Sequence, residues 1–193
     1  MRNTRELKDL NASIGIKGII KEESVMEIEL DRLLLRPYND NDLDFLESLL
    51  TNPDMMKYIG NGQTRSQNGI KKFLEWIYDT YSQNPNYGLM LILERGTNKP
   101  IGHAGLVPQL IGRKQEIEIG YWIAQEYWGK GFATEAARGV MECGRKNLNV
   151  KKMIALIQKN NIASQLVAKK IGMQLEREID FKGKDIYLYS KKV

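Results

Sequence analysis

Two hydrophobic rhythms alternate along the chain from residue 26 onward. "MEIELDRLLLRP" carries apolar residues in the short period of a strand, over roughly residues 27 to 36. Pro37 then ends the strand, Asn39 or Asp40 can cap, and Leu43, Leu46, Leu49 and Leu50 recur on one face of a helix. Ile70, Phe73, Leu74 and Ile77 repeat that spacing and predict a second helix over about 66 to 81. "YGLMLILE" and "PIGHAGLV" read as strands joined by the turn "RGTNKP", and "QEIEIGYWIA", residues 115 to 124, alternates as a third. A helix is predicted from about Thr134 to Asn147. "KKMIALIQ" is then a strand, "NIASQLVAKKIG" a helix closed by Gly172, and "MQLEREID" and "KDIYLYS" a last pair about a "KG" turn. The order β-α-α-β-β-β-α-β-α-β-β predicts a mixed α/β domain over 26–193. Residues 1–25 lack this periodicity. They read as an N-terminal extension, either flexible or an added helix serving an interface.

Composition narrows the class. The 193 residues are 42% apolar and 27% charged, which suits one globular domain with a real core. No apolar run reaches the ~20 residues that span a bilayer, so no membrane role is expected. "MRNTRELKDL" is too charged for a secretory segment, and the one cysteine, Cys143, has no internal disulfide partner; a cytoplasmic setting is the expectation. Net charge is +5, but the basic residues are scattered, without a Lys/Arg block, so no specific nucleic-acid partner is expected. One histidine and one cysteine make a structural zinc site implausible, and no metal site is expected.

Candidate chemistry concentrates in "YWGKGFATEA", residues 127–136. A nucleotide-hydrolysing P-loop needs Gly-Lys-Ser/Thr, yet Gly129-Lys130 is followed by Gly131. A dinucleotide fingerprint needs a third glycine, yet Thr134 stands there. The stretch nonetheless joins a strand to a helix N-terminus. Its glycines admit an anion close to backbone N–H groups, and Lys130 adds charge without a metal. That arrangement suits a pyrophosphate held in place; the plainer alternative is a tight turn opening a helix.

Laid on the pattern Gln/Arg-x-x-Gly-x-Gly/Ala, the stretch resembles the signature of the GNAT superfamily of acetyl-CoA-dependent N-acetyltransferases, with Trp128 departing from the first Gln/Arg. "IGYWIAQEYWGKGFATEA" resembles the branch of ribosomal-protein N-terminal acetyltransferases, the RimJ/RimL type. "LDRLLLRPYNDNDLDFL", "KPIGHAGL" and "NNIASQLVAKKIGM" resemble further segments of that branch, so the resemblance covers about 26 to 190. It implies a mostly antiparallel sheet with flanking helices, splayed to form an acetyl-CoA slot. It further implies that the amides of Gly129, Lys130, Gly131, Phe132, Ala133 and Thr134 hold the coenzyme pyrophosphate. Tyr121, Trp122 and Ile123 would pair with the pantetheine arm, and Asn161 and Ser164 would touch the cofactor, although both are also good helix caps.

Acetyl transfer needs a deprotonated amine, a polarised thioester carbonyl and a proton for the leaving thiolate. A backbone N–H at residues 120–122 can polarise the carbonyl. Glu116 and Glu118 share one face of a central strand, where mutual repulsion and burial would raise a pKa. Glu118 is the candidate base, against the alternative of an ion pair with Arg36 or another neighbour. The superfamily's acid tyrosine falls on Ala168 here, so the resemblance offers Ser164 in its place, with Tyr189 a weaker option. His103 and Cys143 read as packing. The leading reading is an acetyl-CoA-dependent N-acetyltransferase acting on a primary amine, which by resemblance is a protein N-terminal α-amino group. A polyamine, amino acid or aminoglycoside is the alternative acceptor. A non-catalytic acyl-CoA sensor and an RNA-binding protein are the competing classes.

Overall fold

The computed structural model describes residues 27–193; the extension expected over 1–25 lies outside the described residues. Eight strands form one sheet in the order β1-β2-β3-β4-β5-β6-β8-β7. They are β1 (Ile28–Glu29), β2 (Leu33–Pro37), β3 (Gly88–Glu94), β4 (Lys99–Ile111), β5 (Lys114–Ile123), β6 (Lys152–Gln158), β7 (Gln174–Asp180) and β8 (Asp185–Lys192). Five α-helices flank it: α1 (Leu43–Leu50), α2 (Pro53–Met56), α3 (Gln67–Gln83), α4 (Phe132–Asn147) and α5 (Ile162–Lys170).

Two apolar layers hold the sheet. On one face Ile117, Ile119 and Ile123 of β5 pack with Ala136, Val140 and Met141 of α4 and Ala168 of α5. On the other, Leu89, Leu91 and Leu93 of β3 meet Leu46 and Leu50 of α1 and Ile70, Leu74 and Ile77 of α3. Of the residues that set the helical spacing in the sequence, Leu46, Leu50, Ile70, Phe73, Leu74 and Ile77 lie in this layer, Leu43 is half-buried against it, and Leu49 packs with Met55 and Ala124.

The element order agrees with the sequence reading, with three corrections. The single strand expected over 27–36 is two strands: the chain bends after Leu30, and Ile28 pairs back on Leu35. A short helix, α2, follows α1 because the Asn52 side chain accepts from the amides of Asp54 and Met55, with Pro53 as its first residue. The helix after the glycine loop begins at Phe132, earlier than Thr134, since Gly131 itself takes the cap position.

All neighbouring strands run antiparallel except β5 and β6. That parallel pair is joined only at Ile117↔Met153 and Glu118↔Ile154. Past these positions β5 continues along β4 as far as Ile123, and β6 continues along β8 as far as Gln158. A gap therefore opens between residues 119–123 and 155–158.

Candidate active site

The glycine loop lies just beyond the open end of β5. Gly129 and Gly131 both take left-handed backbone conformations, with φ of +77° and +83°. That geometry favours glycine and turns the loop sharply into α4. A Cβ at Gly129 would meet nothing within 4 Å, so the loop faces open space. The amides of Gly129, Lys130 and Gly131 have no acceptor among the described residues. The first helical bond of α4 runs from the Glu135 amide to the Gly131 carbonyl at 3.1 Å, and Gly131 has no side chain to cap the amides of residues 132–134. Unpaired amides on a glycine turn at the start of a 16-residue helix fit a coenzyme pyrophosphate. Lys130 is exposed and its Nζ lies over the Tyr127 ring, 5.0 Å from the centroid. Trp128, the departure from the superfamily pattern, donates its indole N–H to the Ile123 carbonyl at 2.6 Å, tying the loop to the end of β5.

At the point where β5 and β6 part sits Glu118. Its carboxylate accepts from Gln109 Nε2 at 2.7 Å and from the backbone N–H of Leu156 on β6. Burial pushes its pKa up from 4.5 to about 6, against the opposing effect of those two hydrogen bonds and of the Lys182 charge in the β7–β8 turn. Arg36 is not its partner: that guanidinium grips Asp42 with two bonds of 2.7 Å. Glu116 is not the cause of the shift, contrary to the expectation of repulsion. Its buried carboxylate is paired with Lys114 and Lys152, each at 3.1 Å.

Across the gap, the Tyr121 hydroxyl donates to the Ser164 carbonyl at 2.9 Å and accepts from the Ser164 hydroxyl at 3.0 Å. Burial raises the Tyr121 phenol to about 12. Asn161 caps α5, its side chain accepting from the Ser164 amide at 3.1 Å. Trp122 points to the opposite face, stacked on Phe73 with centroids 5.8 Å apart. Tyr189 is fully buried and donates to Gln165 at 3.2 Å. His103 is fully buried, with Nδ1 2.9 Å from the Tyr38 hydroxyl; burial lowers its pKa to about 3 and keeps it neutral. Cys143 is partly buried on α4, where the Asn147 amide approaches its Sγ.

The sequence reading missed Gln109, the Tyr121 side chain, Arg32 and Glu135. Gln109 was legible in principle: a long β4–β5 hairpin puts it opposite Glu116, diagonal to Glu118. The other three meet partners at least 43 residues away, which no local pattern reveals. Among the described residues no group of His, Cys, Asp and Glu could hold a metal, and no helix is long and apolar enough to cross a membrane.

Comparison with known proteins gives a consistent result. Residues 32–174 match the acetyltransferase (GNAT) domain family. The chain is 36% identical over 165 residues to YkkB of Bacillus subtilis (strain 168), covering 84% of this chain and 93% of that one. It is 28% identical over 151 residues to spermidine N(1)-acetyltransferase of Escherichia coli (strain K12), covering 75% and 74%. The fold is shared with RimL, a ribosomal L7/L12 alpha-N-protein acetyltransferase solved with coenzyme A. That match has a TM-score of 0.73 at 18% identity over 87% of this chain and 98% of that one.

Proposed function

Since the chain belongs to the GNAT acetyltransferase family and is an acetyl-CoA-dependent N-acetyltransferase, we propose that it acetylates an α-amino group, as at a protein N-terminus, with Glu118 as the base. The observation that carries this reading is the charge around Glu118. The nearby charge acting on it is the cation Lys182, and the neighbouring carboxylate, Glu116, is already held by two lysines. A polyamine carries several ammonium groups and needs several carboxylates. A base titrating near 6 is also better matched to an α-ammonium of pKa about 8 than to a lysine-like amine of about 10.

In this reading acetyl-CoA supplies the acyl group as a thioester, with its pyrophosphate on the amides of residues 129–134. The backbone of residues 121–123 lines the slot, and an amide of residues 120–122 polarises the carbonyl. Glu118 takes the proton of the incoming ammonium. As the N–C bond forms and the C–S bond breaks, Ser164, hydrogen-bonded to Tyr121, gives its proton to the thiolate and takes up the second proton that the acylated nitrogen sheds. Asn161 sets the first turn that presents Ser164.

A second reading, a small polyamine acceptor, is favoured by the similarity to the E. coli spermidine enzyme. A thiol-release assay at pH 7 separates the two. Short peptides with free N-termini should be turned over with kcat/KM at least about tenfold above spermidine, and N-terminally blocked peptides should be inert. Preference for spermidine would overturn the α-amino reading. Acetyl-CoA binding without turnover of any amine would point to a sensor.

A further inference from the structure

We propose that Arg32, in the β1–β2 turn, is a second cationic anchor for the coenzyme pyrophosphate, aimed by Glu135. The inference rests on the loop at 129–134 being the pyrophosphate site. Arg32 lies about a hundred residues from that loop in sequence, yet it is bound into it by four contacts. Its backbone N–H donates to Glu135 Oε1 at 2.8 Å, and its Nε donates to Glu135 Oε2 at 2.7 Å. Its Nη1 donates to the Lys130 carbonyl at 3.0 Å. The guanidinium lies over the Phe132 ring, 4.6 Å from the centroid. Together these fix the plane of the guanidinium and leave one edge.

That edge is Nη2. It has no partner among the described residues and lies 3.5 Å from where a Cβ on Gly131 would stand. The remaining N–H donors therefore sit at the glycine turn, on a side chain that is half exposed. A planar guanidinium held by other bonds loses little freedom on taking up a phosphate oxygen. Lys130 differs: it is exposed and held only against Tyr127.

Glu135 also needs this partner. A carboxylate in the first turn of α4 stabilises the helix but would repel a pyrophosphate bound there. Arg32 neutralises it and orients itself by the same bond. Arg32 is then the group that meets the anion, and Glu135 is a positioning residue.

Steady-state kinetics over acetyl-CoA concentration, with calorimetry on coenzyme A and melting curves, test the assignment. Arg32→Ala should raise the acetyl-CoA KM about tenfold or more, with kcat at saturation and the acceptor KM within about twofold. The rise should shrink as salt increases. Arg32→Lys, which keeps charge but not the fork, should recover only part of the affinity, and it decides the matter if Arg32→Ala melts early. Adding Glu135→Gln to Arg32→Ala should not restore affinity. Full restoration would mean that Arg32 only neutralises Glu135, and would overturn the proposal. Gly131→Asp separates the levels. If Gly131→Asp loses coenzyme affinity while Arg32→Ala keeps it, the Arg32 assignment falls and the loop site stands. If both keep it, both fall.

Discussion

Glu118 holds a proton at the upper end of the carboxylate range because burial disfavours its charged form, and the hydrogen bonds from Gln109 and the Leu156 amide do not offset that. In the proposed mechanism the charged form is the active base, so kcat/KM should fall as pH drops through about 6. Glu118→Gln keeps the shape and the Gln109 contact but cannot accept a proton. We expect kcat about tenfold to a thousandfold lower, an unchanged acetyl-CoA KM, and no acid limb near pH 6, read from pH–rate profiles of both proteins. Stability moves the other way. A carboxyl whose pKa rises on folding contributes its stability below 4.5 and loses it as pH climbs through about 6. The Gln variant should therefore melt no lower than the parent at pH 7, by calorimetry. Alternation along "QEIEIG" was enough to put Glu118 with Glu116 on one face of a central strand. Lys114, two residues before Glu116 on β5, was a legible partner, but Lys152 reaches Glu116 from β6, which no local pattern shows.

At the scale of elements, the loop and the sheet edges make separate predictions. If backbone amides hold the coenzyme, Lys130→Ala should weaken its binding only modestly, since an exposed cation against an aromatic ring is worth little in salt. Gly131→Asp should weaken it severely, through strain at φ +83° and a negative charge at the anion site. Calorimetry with coenzyme A compares the two. Gly105 marks a different constraint, since a Cβ there would run into the Gly88 carbonyl oxygen on β3. Gly105→Ala should cost about 3 kcal/mol or more by denaturant melts, because backbone cannot rotate away as a side chain can. Most elements were legible from period alone, α3 and β5 most clearly. The β1–β2 hairpin was not, because its bend at Leu30, Asp31 and Arg32 contains neither glycine nor proline. That missed bend is the one that brings Arg32 to the loop.

For the molecule as a whole, one buried imidazole links the sheet to pH. His103 lies between Tyr38, Phe73 and Trp122, and the fold accepts it only neutral. Its stabilising contribution is intact above pH 6.5 and is lost as pH falls from there toward about 3. Between pH 6.5 and 4.5 this loss opposes the gain from Glu118, so on calorimetric scans from pH 7.5 to pH 4.5 the melting temperature should fall more, or rise less, with acid in the parent than in His103→Gln. Resemblance to the superfamily anticipated the glycine turn before α4 and the parting of β5 from β6, since both follow strings of adjacent residues. It did not reveal that His103, the chain's lone histidine, is buried among aromatic rings, because those rings come from distant segments.

A sheet joined at only two residue pairs behaves mechanically like a plank split along its grain. The strands β1–β5 form one piece and β6–β8 the other, and the split starts at Glu118. Backbone groups facing the split have no strand to shield them, so they should trade hydrogen for deuterium faster than those on the paired sides of the same strands. A coenzyme arm lying in the split would act as a wedge glued to both faces. Acetyl-CoA should then slow exchange at residues 119–123 and 155–157 together, by about tenfold or more, while leaving the β7–β8 hairpin unchanged. Slowing on one face alone would mean that the two pieces are bridged by helices α4 and α5 and not by the ligand.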